Sequence, residues 1–158
     1  MGEQFNSVFL DCDPSKVDFE VQGFKFPNDV GTHRLSQRRN LLQKLESSRE
    51  ISASQISSAA KSYSTHAEMA YSMLHQKAFR DALDLQRIPA AIRRRYGYSK
   101  FGQSLLLARQ LVEAGISLVT VNFDHESKHD KRSPMWDTHH DNFAKLKNPL
   151  CPLFDHTF

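Results

Sequence analysis

Hydrophobic and polar positions follow three rhythms along this chain, and each rhythm names a kind of element. In the first thirty residues Val17, Phe19 and Val21, then Phe24 and Phe26, alternate with polar neighbours and are broken by Pro14, Gly23, Pro27 and Gly31. A period of two predicts an extended arm or weak strands over residues 1–31 rather than a helix.

Beyond Gly31 the period lengthens to that of a helix. Leu35, Leu41, Leu42 and Leu45 fall on one side of a segment that Thr32 is placed to cap, with arginines and glutamines opposite. Ser52 and Gln55 have the spacing of a capping box. Ile56, Ala59, Ala60, Tyr63, Ala67, Ala70, Tyr71, Leu74 and Ala78 then recur at helical intervals, forming a narrow alanine-rich stripe suited to close packing on another helix. Pro89 opens a short helix that Gly97 ends. Phe101, Leu105, Ala108, Leu111 and Val112 mark a further helix stopped by Gly115.

The third rhythm is a dense apolar run. Residues 116–123, ISLVTVNF, combine branched and aromatic side chains as a buried core strand does, directly after a helix and a glycine. Helix, glycine, strand is one arm of an α/β unit, so the expected fold class is α/β, mostly helical in this chain, with one core strand and weak N-terminal strands. The expected division of the single partial domain 1–158 is an arm over 1–31, a helical segment over 32–114, and a strand, loop and C-terminal helix over 115–158. One strand makes no sheet, so its partners are expected from outside this chain.

Composition narrows the class without naming a chemistry. The 158 residues are 39% hydrophobic and 25% charged, near the soluble average, and no apolar run approaches the roughly 20 residues of a membrane helix. Residues 1–10 lack the pattern of a signal peptide. A net charge of +3, spread along the chain, does not call for nucleic acid. Arg93, Arg94 and Arg95 point in three directions around a helix and read as a solvated face. Cys12 and Cys151 have no partner at metal or redox spacing and read as reduced thiols, with a single bridge as the alternative. Ser104, in FGQSL, lacks the second glycine and the strand-to-helix turn of a nucleophile elbow. His66 and His75 are too far apart for an i, i+4 ligand pair, and His33 is no more informative.

The candidate chemistry lies between Asp124 and Asp141. DHESKHDKRSPMWDTHHD holds Asp124, His125, Glu126, His129, Asp130, Asp137, His139, His140 and Asp141, which include four of the chain's eight histidines. It follows the predicted strand, and ligands in open α/β sheets bind beyond the carboxyl ends of strands. Imidazole and carboxylate are the usual ligands of zinc and similar ions. In an extended segment Asp137 and His139, at i and i+2, point the same way. The bland alternative is a solvated loop.

Three blocks in order sharpen this picture. RRRYGYSKFGQSLLLARQLVEAGISLVTVNF and WDTHHDNFAKLKNPLCPLFD, preceded by FPNDVGTHRLSQRRNLLQKLE, closely resemble the family known as domain of unknown function 1501. The resemblance implies a sulfatase-like member of the alkaline-phosphatase-like superfamily. It implies a doubly wound fold, a bound divalent metal such as zinc or manganese, and cleavage of phosphate or sulfate esters. Asp137 and His139 match the WDTH block and carry over as candidate metal ligands. Trp136 and Asn142 match neighbouring positions that would shape the site, and Gln103 and Arg109 match positions with a structural role.

Family members also carry GGPSH and DTFD blocks upstream and GEFGRTP and GRDHH blocks downstream, none of which occurs here. The expectation is an internal fragment, inactive alone, whose C-terminal helix is interrupted early by Pro149 and Pro152. Its implied partner is the missing remainder of the fold or a second copy. The alternative is a non-enzymatic helical interaction module. Complete relatives are expected to be extracytoplasmic.

Overall fold

The computed structural model describes residues 8–21, 23–24, 31–48, 58–123 and 136–157. The chain divides into two compact units, Met1–Leu10 with Val21–Arg80, and Asp11–Glu20 with Asp81–Phe158.

The first unit contains α1 (Thr32–Ser48) and α2 (Ser58–His75). Gly31, not Thr32, takes the capping position, because its carbonyl accepts the Leu35 N–H at 3.2 Å. Arg39 ties the two helices together. Its guanidinium pairs with Glu68 and lies 4.3 Å over the ring of Tyr71, whose hydroxyl is 3.4 Å from Ser36 Oγ. The leucine face of α1 is left open, with Leu41, Leu42 and Leu45 between 55% and 59% exposed. The Ser52–Gln55 capping box lies outside the described residues. α2 ends at His75, short of Ala78, and α3 (Lys77–Ala82) resumes after Gln76. Gln76 still donates to the Ser72 carbonyl and accepts from the Arg80 N–H, so the break is a one-residue irregularity.

In the second unit the N-terminal segment turns instead of extending. The Asp13 carboxylate accepts the Ser15 N–H at 3.1 Å and the Ser15 hydroxyl at 2.6 Å, and the Lys16 and Phe19 amides bond back to the Asp13 and Lys16 carbonyls. Local side-chain bonding overrides the period-two pattern, and Val17 is left 89% exposed. The weak N-terminal strands expected from the sequence are absent among the described residues. Gln86, in the short turn Leu85–Arg87, holds this segment by donating to the Val17 carbonyl at 2.6 Å.

The core of this unit is built on α5 (Lys100–Glu113), preceded by α4 (Ala90–Arg95). The Ser99 hydroxyl caps α5 by accepting the Gly102 N–H at 3.0 Å. At its other end Gly115, at φ +100°, permits a Schellman closure in which Ile116 N–H reaches the Leu111 carbonyl and Gly115 N–H that of Val112. Phe101, Leu106, Leu107 and Leu111 are buried with Leu83, Leu85 and Leu150. Full burial of side chains of this size contributes about 1.5–3 kcal/mol each, which makes one face of α5 the main stabilising surface of the unit.

Residues 116–123 do not form a core strand, and among the described residues there is no strand at all. This overturns the expected α/β architecture: what is described is helical. The segment keeps a strand-like alternation, with Val119, Val121 and Phe123 half-buried and Leu118, Thr120 and Asn122 outward, but Leu118 is 82% exposed. Composition gave it the side chains of a strand. A ladder also needs a neighbour to take its backbone groups, and helices cannot supply one.

The C-terminal helix also departs from expectation. α6 (Asn142–Lys145), a wide π turn (Leu146–Leu150) and α7 (Cys151–Thr157) follow one another directly, so neither Pro149 nor Pro152 ends the helix. The wide turn accommodates Pro149, which has no N–H for the ladder, and Pro152 sits in the first turn of α7, where a proline is tolerated. α7 approaches α5 at Gly102, where an added Cβ would lie 2.9 Å from Thr157 Cγ2.

Candidate functional site

The predicted ligands sit in the short stretch between residue 136 and α6. Asp137 Oδ1 faces His139 twice: it accepts the His139 backbone N–H at 3.2 Å and contacts the ring Nδ1. This is an Asx-type turn, in which a short carboxylate folds back on the amide two residues on. The backbone geometry that brings the two residues together is therefore local. Lys145 Nζ lies 3.4 Å from the Asp137 carbonyl and ties the turn to α6. Asp141, at φ 53°, turns the chain into α6, a left-handed conformation that aspartate tolerates better than most residues.

The hydrogen bonds from His139 hold the Asp137 carboxyl below the ordinary aspartate range, against a smaller opposing effect of desolvation. Asp137 is thus a carboxylate at neutral pH. A ring that contacts this carboxylate through Nδ1 turns its Nε2 outward, an arrangement common among metal-ligating histidines.

Carboxylate and imidazole are donor types that a divalent ion such as zinc takes, but here they face each other, and two residues do not complete a site. Among the described residues no group of three His, Cys, Asp or Glu converges. His140 and Asp141 are exposed and Asn142 opens α6. Asp124, His125, Glu126, His129 and Asp130 lie outside the described residues.

Trp136 forms one wall of the corner. With Asp137, Thr138 and His139 it lines an open depression of about 390 Å³. Its indole meets Phe123 edge-on at 5.4 Å and Phe154 at 6.4 Å, and Phe123 stacks on Phe101 at 4.0 Å. This aromatic chain links α5, the 116–123 segment, the corner and α7. The sequence contains the four rings but no periodicity relating them, so their association was not readable from spacing.

Gln103 makes the structural contacts expected of it, whereas Arg109 makes only exposed ones. Gln103 is fully buried, donates to the carbonyls of Arg93 and Gly97, and accepts from Arg93 Nε at 2.9 Å, which locks the α4–α5 turn. Arg109 pairs with Glu113 at 2.7 Å on the surface of α5 and approaches the Tyr96 hydroxyl at 3.5 Å.

No helix among the described residues is long and apolar enough to cross a membrane. No curated protein and no solved structure matches the chain. Residues 1–158, however, match the family described as Protein of unknown function (DUF1501), and the chain belongs to it.

Proposed function

We propose that the Asp137–His139 corner is part of the divalent-metal site of a hydrolase acting on phosphate or sulfate esters. The observation that supports this reading is the contact of Asp137 Oδ1 with both the backbone N–H and the ring Nδ1 of His139. It orients the imidazole and keeps the carboxylate charged, which are the two demands a zinc or manganese ion makes of such a pair. A divalent ion bound there would polarise an ester oxygen and lower the pKa of a bound water. His139 would ligate through Nε2, with Asp137 fixing the ring and contributing negative charge. A third donor has to come from outside the described residues, so the corner alone is expected to hold metal loosely and to turn over no ester.

Titration of the chain with zinc and manganese by calorimetry tests this reading, with Asp137→Ala, His139→Ala as the control. Loss of metal uptake in the double variant supports it, and equal affinity in the two proteins sinks it. A helical interaction module is the second reading, favoured by the open leucine face of α1. It predicts concentration-dependent association in sedimentation that Leu41→Lys, Leu45→Lys abolishes.

A further inference from the structure

Beside the two polar residues stands a feature that metal chemistry does not require. Trp136 lines the same depression as Asp137, Thr138 and His139, yet remains 42% exposed. Singly exposed apolar side chains are ordinary, but this one is held in place by other rings. Phe123 at an interplanar angle of 68° and Phe154 at 90° both contact the indole, while Phe101 backs Phe123 in a stacked contact. Edge-to-face pairs of this kind fix ring planes at little entropic cost to a later ligand. The depression is open to solvent, so it offers a ligand one rigid aromatic wall beside Asp137, Thr138 and His139 rather than an enclosed cavity.

We infer that Trp136 is a binding platform for a planar aromatic ring carried by the substrate, so that the ligand class is an aryl ester. The ring would stack on the indole and the ester group would lie toward Asp137 and His139. The ester half of this inference rests on the hydrolase reading above. The ring half rests on the Trp136 cage alone.

Trp136 is the chain's single tryptophan, so its fluorescence reports this site and no other. The full chain is titrated with phenyl phosphate, phenyl sulfate and inorganic phosphate, with and without zinc, and zinc uptake is measured separately. Saturable quenching by the phenyl esters, at least about tenfold tighter than by inorganic phosphate, is expected from a stacking contact. No saturable quenching, or equal response to phenyl phosphate and inorganic phosphate, overturns the platform. Quenching by the phenyl esters without zinc uptake supports the platform while removing the metal reading. Zinc uptake without ring preference does the reverse.

A second measurement guards against a misfolded variant. Ligand-observed NMR with phenyl phosphate should show binding kept in Trp136→Phe and reduced about tenfold in Trp136→Leu, both checked for native circular dichroism. Equal binding by the two variants overturns the platform.

Discussion

Gln103 Nε2 donates to the Gly97 carbonyl oxygen at 2.5 Å from a fully buried position on α5. The same amide nitrogen reaches the Arg93 carbonyl at 3.1 Å, so one side chain closes the α4–α5 turn from below. Gln103→Leu keeps the bulk but leaves both carbonyls without this donor. Each buried polar group left unpaired costs about 1–3 kcal/mol, and the variant should lose at least about 2 kcal/mol in urea unfolding. Gln103→Glu should lose the same two donations at neutral pH, because a carboxylate has no proton to donate, while it keeps an acceptor for Arg93 Nε.

Gly102 lies against the same turn. A Cβ there would meet the Tyr96 carbonyl oxygen at 1.8 Å, a backbone atom that cannot swing aside. Gly102→Ala should destabilise at or above the top of the roughly 1–3 kcal/mol range for overpacking, despite the better helix propensity of alanine. Thermal unfolding followed by circular dichroism measures it. Gly115→Ala meets no atom within 4 Å and is strained only through φ +100°, so it should cost less.

Asp137 offers a pH test of its turn. Its folded pKa is depressed, so as pH falls the unfolded chain takes up the proton first. The stabilising contribution of the turn is therefore complete above the ordinary aspartate value and is lost as pH drops through the lower folded value. NMR titration of the Asp137 carboxyl should show a midpoint below that of an unperturbed aspartate, and His139→Ala should move it up. An unchanged midpoint in the variant would disprove the contact.

The two cysteines should differ in reactivity. Burial, with Asp11 adding to it, raises the Cys12 thiol pKa, and the thiolate is the reacting form. Cys151 is exposed. Iodoacetamide at neutral pH followed by mass spectrometry should label Cys151 several-fold faster than Cys12, and the reverse order would contradict the packing of residues 11–20.

Leu118 distinguishes the observed segment from the strand its composition suggests. At 82% exposure, Leu118→Lys should change stability by less than about 0.5 kcal/mol. A loss of several kcal/mol in urea unfolding would restore a buried strand.

What could be read in the sequence was whatever is decided locally. Helix starts and stops were visible because Pro89, Gly97 and Gly115 act on their own neighbours; at Asp137 and His139 the expected extended segment is instead a turn in which the two side chains contact each other. The period of two at Val17, Phe19 and Val21 misled because the Asp13–Ser15 bonds bend the chain before any ladder can form. ISLVTVNF misled for a complementary reason: strand composition states what a segment is suited to pair with, not whether a partner lies beside it. Pro149 misled because a local helix-breaking rule gave way to a wider turn within a helix. The aromatic cage joins rings far apart in sequence, which no spacing argument reaches.

The contact between Phe123 and Trp136 fixes two points of the chain side by side. Because Phe123 rests on Phe101 of α5 and Trp136 meets Phe154 of α7, any shift between the two helices is passed directly to the Trp136 wall. The exposed wall is therefore set from behind: a substitution at Phe101 or Phe154 would move it without altering a residue that lines the depression.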